Sequence, residues 1–163
     1  FGPYRDSVTL DFSALQDHSM FLVSGPTGEG KTSILDAMVY ALYGEPSGEV
    51  RKTDAIRSDF AEPERMTRVD FSFAIGEARY RVERLPKQLV AKKRGTGMRE
   101  QNASATVYEM KDGEWKVIAT SAAAIRDTVQ RIIGFRKEQF LQVVLLPQGE
   151  FRKLLVASTS ERE

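Results

Sequence analysis

The sequence predicts an α/β fold that contains an antiparallel β-meander and ends in a helical segment. Three observations predict it: a glycine-rich loop between an apolar run and a stretch of helical spacing, strand-like alternation between residues 66 and 118, and helical spacing from residue 125 onward. With 163 residues, of which 41% are hydrophobic and 29% charged, the chain suits one domain with a sizeable core.

The glycine-rich loop, residues 25–32, reads Gly-Pro-Thr-Gly-Glu-Gly-Lys-Thr and fits G-x-x-x-x-G-K-[ST] at every fixed position. In this pattern, backbone N–H groups and the positive end of the following helix surround phosphate oxygens. Lys31 is placed to reach the β- and γ-phosphates, and the Thr32 hydroxyl to bind Mg²⁺. The predicted nucleotide contacts are Pro26, Thr27, Gly28, Glu29, Gly30, Lys31, Thr32 and Ser33.

The residues on both sides of the loop fit its strand–loop–helix setting. Residues 20–23 form an apolar run of buried-strand length, and apolar residues recur at helical spacing from Ile34 to Leu42. Gly44 is placed to end this helix. Glu29 is unusual, because its negative charge repels bound phosphates, so we expect it to weaken nucleotide affinity without abolishing binding.

Residues 8–12 alternate apolar and polar side chains and predict a half-buried strand, whereas residues 44–60 predict an exposed connection. A hairpin is then predicted from residues 69–75 and 78–84, which flank a turn at Gly76-Glu77. Residues 86–102 show no periodicity and predict a mobile loop.

Two further strands are predicted at residues 105–110 and 115–118, joined by a turn at Asp112-Gly113. An antiparallel meander of about four strands therefore follows the first helix, beside the parallel sheet that the phosphate loop implies. Phe71, Phe73 and Trp115 are expected in the hydrophobic core, because large aromatic side chains are highly buried on average.

Helical spacing returns after the meander. Ile125, Val129, Ile132 and Ile133 mark one face of a helix that Gly134 is expected to end. Further helical segments are predicted around residues 140–144, 154–155 and 158–163.

Composition excludes several classes of site. The chain has no cysteine and one histidine, which excludes disulfides and thiolate metal sites and argues against zinc. No apolar run approaches the length of a membrane span, and no signal-peptide pattern opens the sequence, so a cytoplasmic protein without membrane contact is expected. The sequence begins at a phenylalanine and stops in a charged stretch, from which we expect a piece of a longer chain.

A phosphate loop binds nucleotide, but hydrolysis requires more. A complete ATPase usually has an apolar strand that ends in Asp, often followed by Glu, to secure Mg²⁺ and polarise water. The apolar runs here end differently: residues 21–23 lead into the loop, and residues 141–146 lead to Pro147-Gln148. The Asn-Lys-x-Asp pattern of GTPases is also missing. We therefore expect a composite site that another segment or chain completes.

Four motifs in order carry a resemblance to a known family: Phe-Gly-Pro-Tyr-Arg at residues 1–5, the loop and helix start at 23–37, Ala-Leu-Tyr-Gly at 41–44, and Leu-Pro-Gln-Gly-Glu-Phe at 146–151. Together they resemble the amino-terminal ATPase lobe of the SbcC family, the bacterial SMC-like DNA double-strand-break repair ATPases. The resemblance spans almost the whole chain, and the last two motifs make it more specific than a phosphate loop alone.

The resemblance implies an ABC-type ATPase half-domain that binds ATP and Mg²⁺, completed by a carboxy-terminal lobe with the signature motif, the Mg²⁺-binding Asp and the catalytic Glu. It also implies a second head in a homodimer, an SbcD-type nuclease as partner, and gated access of double-stranded DNA ends. The expected division is residues 1–60 (nucleotide-binding βαβ part), 61–119 (antiparallel β part), 120–157 (helical part with the Q-loop) and 158–163 (start of a coiled coil).

Two site residues follow from matching this family's motifs. Gln148 falls in the Q-loop, which implies a contact with Mg²⁺ or the attacking water, so Lys31 and Gln148 are the candidate catalytic residues. Arg5 is placed near the phosphates or base. From the residues alone, Gln148 could equally cap a helix or bond backbone, and Asp36 is a structural or solvated residue rather than a ligand.

The stretch from Arg79 to Arg99 is strongly basic, with Glu83 as its one acid. A hairpin face and a loop with this charge suit the phosphates of duplex DNA, without a base-reading motif. The predicted DNA contacts are Lys87, Lys92, Lys93, Arg94 and Arg99.

Two alternatives remain open from the sequence. One is a stand-alone P-loop kinase or NTPase of another family; a kinase should carry an arginine-rich lid near its substrate site, and the β-meander that follows the first helix argues against that. The other is a nucleotide-responsive module that never hydrolyses ATP, for which Glu29 is the only indication.

Overall fold

The computed structural model describes residues 1–15, 22–47, 56–62, 64–92 and 96–143. A short 3₁₀ turn at Ser13–Leu15 precedes three helices and six strands in these ranges. They are α1 (Lys31–Tyr43), β1 (Val69–Ile75), β2 (Ala78–Leu85), β3 (Gln88–Ala91), β4 (Met98–Gln101), β5 (Ser104–Lys111), β6 (Glu114–Ala119), α2 (Ala122–Ile133) and α3 (Lys137–Val143).

The main sheet has four antiparallel strands in the order β1-β2-β5-β6, which confirms both predicted hairpins. Phe71, Val82 and Val107 lie side by side across three of the strands. An irregularity between Val107 and Tyr108 shifts the register of the last pair. The predicted antiparallel meander and the mixture of helices and strands are therefore confirmed. The parallel sheet that the phosphate loop implied does not appear among the described residues, where every strand pair is antiparallel.

Helices α1 and α2 cover one face of this sheet, because alternate strand residues present their apolar side chains there. The core joins Val39 and Leu42 of α1, Val82 and Val107 of the sheet, and a group on the later elements: Ala119, Ile125, Val129 and Phe140. Phe71 and Phe73 pack against this core as predicted.

The ends of the helices follow the predicted capping residues. Gly44 and Gly134 adopt the left-handed conformation that ends α1 and α2, and each donates its N–H to the carbonyl four residues earlier. Ser121 begins α2 by accepting a hydrogen bond from the N–H of Ala124. Among the described helices, none combines the length and the apolar character that crossing a membrane requires.

Residues 86–102 are not the loop that their sequence suggested, because β3 and β4 form a separate two-stranded sheet there. The buried side chain of Gln88 explains the missed pattern. It accepts a hydrogen bond from the Thr67 N–H at 2.7 Å and donates one to the Thr67 carbonyl at 2.8 Å. A polar residue thus occupies a position where periodicity analysis expects an apolar one.

Two predicted strands are absent from the described part of the chain. Residues 8–12 and 22–25 have no strand assignment, and Leu22 is 86% exposed. A strand needs a neighbouring backbone with which to pair, and all six described strands lie between residues 69 and 119 and pair among themselves. Residues 20 and 21 of the predicted strand lie outside the described ranges.

Two burial predictions were also wrong. Trp115 lies opposite Met110 on β5 and is only partly buried, outside both core clusters, because it sits on the sheet face that the helices leave uncovered. In the expected exposed connection, Ile56 and Ser58 are each 1% exposed. Ile56 joins a second cluster with Tyr40, Ala41 and Val69.

Candidate nucleotide-binding site

The phosphate loop runs into the first residue of α1. Gly30 precedes the helix with φ of 87° and has no side chain with which to cap the first N–H groups. Its carbonyl accepts the first helical hydrogen bond, from the Ile34 N–H at 3.2 Å. Residues 25–29 are exposed. The loop and the positive end of the helix therefore face solvent where an anion can approach.

Lys31 reaches back across the loop. Its Nζ donates to the carbonyl oxygens of Gly25 at 2.7 Å and Pro26 at 2.6 Å. The ammonium group thus lies over the space that the loop encloses, where it can meet phosphate oxygens. Thr32 follows as an exposed hydroxyl, whereas Ser33 is buried.

Residues 1–4 brace the loop from the other side. Tyr4 Oη donates to the Gly30 carbonyl at 3.3 Å. A Cβ added at Gly30 would lie only 2.8 Å from Pro3 Cγ and 2.9 Å from Tyr4 Oη. Position 30 therefore needs glycine both for its left-handed backbone and for this close approach. Sequence reasoning missed the contact of Tyr4, because residues 26 positions apart carry no local pattern.

Arg5 follows this brace but has other partners. Its Nε lies 3.5 Å from an Asp6 carboxylate oxygen, and the other oxygen of that carboxylate accepts a hydrogen bond from Arg65 at 2.7 Å. All three side chains are about half exposed or more. Arg5 therefore follows Tyr4, which contacts the loop, but its own side chain is paired with Asp6. Its contact with nucleotide stays a prediction.

The far end of α1 is held by Arg84 from β2. Its Nε donates to the Ala41 carbonyl at 3.0 Å and its Nη2 to the Leu42 carbonyl at 3.3 Å, and the guanidinium lies 5.8 Å from the Tyr40 ring centroid. A Cβ at Gly44 would meet Arg84 Nη1 at 2.8 Å. Burial raises the pKa of Tyr40 to about 12. A cation thus complements the negative end of the helix that begins with Lys31.

Asp36 is a structural residue, as the sequence favoured, although it is buried rather than solvated. Its Oδ1 accepts hydrogen bonds from both the N–H, at 3.0 Å, and the hydroxyl of Ser47. These bonds attach the turn after α1 to the helix.

In the basic segment, residues 79–99, fewer side chains are available to DNA than the charge count suggested. Arg84 points inward, and Lys87 Nζ forms an ion pair with Glu100 at 3.1 Å. Lys92 donates its backbone N–H to Gly97, and Arg99 is exposed on β4. The predicted DNA contacts Lys93 and Arg94 lie outside the described residues, as does Gln148 with the Q-loop.

The uncovered face of the sheet carries a compact ion network instead. Arg68 bonds both Asp70, at 2.7 Å, and Glu83, at 3.0 Å, while Arg81 bonds Asp70 at 2.8 Å. Arg81 also lies over the Tyr108 ring, 5.7 Å from its centroid. Burial alone would raise the pKa of Asp70, but the hydrogen bonds from the two arginines outweigh it and lower that pKa. Arg81 is therefore largely neutralised by its neighbours.

The described residues offer no metal site made by protein alone, since no three His, Asp or Glu side chains in those ranges come together to hold an ion. Thr32 supplies an exposed hydroxyl beside Lys31. That arrangement fits a Mg²⁺ ion that keeps several water ligands and is also bound by nucleotide phosphates.

The chain is similar to known proteins over its whole length. A family model described as an AAA domain matches residues 1–163. The chain is 45% identical to the SbcC component of the SbcCD nuclease from Vibrio cholerae, 40% identical to that from Lactococcus lactis and 35% identical to that from Staphylococcus aureus strain JH9. Each match covers the whole chain but only 16% of the relative, so the chain spans about one sixth of the length of these proteins.

Proposed function

Because the chain belongs to the AAA domain family over its whole length and matches the amino-terminal region of SbcC proteins, we propose that it is the ATP-binding half of an SbcC-type DNA repair ATPase. The observation that carries the proposal is the loop at residues 25–32, in which Lys31 Nζ reaches the carbonyls of Gly25 and Pro26 above an uncapped helix start. A triphosphate can replace these carbonyls as the partner of the ammonium group.

In the proposed reaction, Lys31 neutralises charge on the β- and γ-phosphates, and backbone N–H groups of residues 27–33 hold their oxygens. Thr32 and Gln148 would hold Mg²⁺, which would further neutralise the phosphates when bound. Gln148 also orients the attacking water. The Mg²⁺-binding Asp, the catalytic Glu and the signature motif come from a carboxy-terminal lobe, so hydrolysis requires two heads that enclose two ATP molecules.

The proposal includes the division already given, with residues 158–163 as the root of a coiled coil that joins the lobes. ATP-driven association of the heads then controls the access of double-stranded DNA ends to an SbcD-type nuclease in the cytoplasm. The chain's similarity to SbcC components of SbcCD nucleases supports this placement.

We expect Gln148→Ala to lower ATP turnover of the full-length protein by about a hundredfold, while ATP affinity changes by less than about threefold. The reason is that this side chain acts on water and metal in the transition state rather than on bound ATP. Steady-state hydrolysis and equilibrium binding, measured on the same preparations with Mg²⁺, separate the two effects.

The matched control is Gln130→Ala, since Gln130 is an exposed glutamine on α2. Turnover in this control should equal that of the wild type. If Gln148→Ala hydrolyses ATP as fast as the control, the proposed role of Gln148 is wrong. A full-length protein that binds ATP but never hydrolyses it would instead favour the non-hydrolysing module.

We expect reversal of Lys92, Lys93 and Arg94 to glutamate to weaken duplex DNA binding and to reduce its salt dependence. The slope of log K against log salt should fall by about one unit for each lost phosphate contact. Binding to a duplex of mixed sequence, measured by fluorescence anisotropy across a salt series, tests this expectation.

A paired reversal of Lys111 and Lys116 to glutamate reverses two positive charges elsewhere, in the β5–β6 hairpin, against three in the first variant, so the slopes are compared per reversed charge. Both lysines are more than half exposed and are paired with Glu109 and Glu114. An unchanged slope in the first variant, or an equal decrease in this control, would remove residues 92–94 from the DNA-binding surface.

A further inference from the structure

Glu29 is the one acidic side chain inside the phosphate loop, and it folds toward the loop's first residue. One of its carboxylate oxygens, Oε2, lies 3.1 Å from the position that a Cβ on Gly25 would occupy. Lys31 Cδ lies 3.9 Å from the same position, and Lys31 Nζ bonds the Gly25 carbonyl at 2.7 Å. The oppositely charged side chains of Glu29 and Lys31 therefore both lie close to Gly25.

This convergence places a carboxylate next to Gly25, the residue whose carbonyl Lys31 bonds and where the proposed triphosphate would lie. In the nucleotide-free loop the carboxylate lies in the positive field of Lys31 and of the start of α1, which favours it there. A bound triphosphate adds negative charge to the same few ångströms and reverses the sign of that interaction. Because glycine at position 25 has no side chain, the carboxylate has room to lie across the loop.

We propose that Glu29 sets which form of the nucleotide the loop accepts, by acting as a resident anion that must be displaced or neutralised before phosphates enter. This inference rests on the proposed ATP site and assigns a specificity-determining residue within it. Free ATP meets the full repulsion of the carboxylate. ATP complexed with Mg²⁺ meets less of it, because the metal offsets part of the charge on the phosphates.

The loop is therefore selective for metal-complexed ATP over free ATP to a degree that Glu29 controls. The selectivity is electrostatic, so it must decrease as salt is added. It also has a definite sign: removing the carboxylate increases affinity for both forms and does so more for free ATP.

The test compares the wild-type full-length protein with Glu29→Gln, which keeps the size of the side chain and removes its charge. Calorimetric titration with ATP is done once with excess Mg²⁺ and once with EDTA. We expect Glu29→Gln to bind Mg²⁺-complexed ATP about threefold more tightly and free ATP about tenfold to thirtyfold more tightly. The difference between the variants should become smaller at high salt.

Two controls make the outcomes distinct. Glu77→Gln removes an exposed carboxylate in the β1–β2 turn and should leave both affinities unchanged. Lys31→Ala tests the site itself: if it binds ATP like the wild type, the proposed function fails. If Lys31→Ala loses binding while Glu29→Gln matches the wild type in both titrations, the proposed function stands and the inference about Glu29 is overturned. Weaker binding of Mg²⁺-complexed ATP by Glu29→Gln would overturn it as well, since the carboxylate would then assist binding.

Discussion

Lys31→Ala is expected to weaken ATP binding by about a hundredfold or more while the protein stays folded. The ammonium group supplies charge-assisted hydrogen bonds to phosphate oxygens, and each is worth about 1.5–3 kcal/mol. Within the described part of the chain its Nζ bonds the exposed carbonyls of Gly25 and Pro26, which water can bond equally well. Calorimetric titration with Mg²⁺ and ATP measures the binding, and thermal unfolding without nucleotide measures the stability.

The comparison variant is Lys116→Ala, which removes an exposed lysine paired with Glu114 on β6. It should bind ATP like the wild type. Unchanged affinity in Lys31→Ala would contradict the assignment of the loop. A large fall in unfolding temperature without nucleotide would show instead that Lys31 is needed for the fold.

Arg84→Ala is expected to lower the free energy of unfolding by about 2–4 kcal/mol, the second large effect. The substitution leaves the carbonyls of Ala41 and Leu42 without their arginine donor, and both of these residues are at most 1% exposed. It also removes the cation from the negative end of α1 and from the face of Tyr40. The melting temperature should fall by roughly 5–15 °C.

Arg79→Ala is the matched control, because Arg79 is an exposed arginine on the opposite face of the same strand. Its effect should stay within about 0.5 kcal/mol. The loss of stability in Arg84→Lys should lie between those of the two alanine variants. Lysine keeps the charge but has no planar guanidinium with which to bond both carbonyls. Equal stability of the two alanine variants would show that Arg84 does not hold the helix.

Features set by nearby residues were predictable from the sequence. The patterns correctly placed the hairpin turns at residues 76–77 and 112–113, the glycine that ends each of the first two helices, and the glycine-rich loop that leads into α1. In each case the necessary contacts, or the necessary backbone conformation, belong to residues only a few positions apart. The four resemblance motifs likewise identified the family that the comparisons then showed.

Features that depend on distant partners were not predictable. Residues 8–12 alternate apolar and polar side chains like a strand, yet the described chain has no strand there. A strand forms only where a second strand is available for hydrogen bonding, and the sequence pattern does not show that partner. Periodicity analysis missed β3, because the polar residue Gln88 occupies a buried position there. Its amide is accommodated by hydrogen bonds to the Thr67 backbone. Counting the basic residues between positions 79 and 99 overestimated how many are available to DNA. Lys87 is paired with Glu100, and Arg84 bonds carbonyls of α1.

The sequence by itself determined that a glycine-rich loop with the phosphate-binding pattern leads into the first helix, because spacing within eight residues suffices to specify that pattern. Only the tertiary structure decided what holds and tunes it. Tyr4 braces Gly30, Arg84 secures the far end of α1, and the Glu29 carboxylate lies across the loop toward Gly25. The first two contacts join residues 26 or more positions apart, and the third depends on which way one side chain folds, so no local pattern records them.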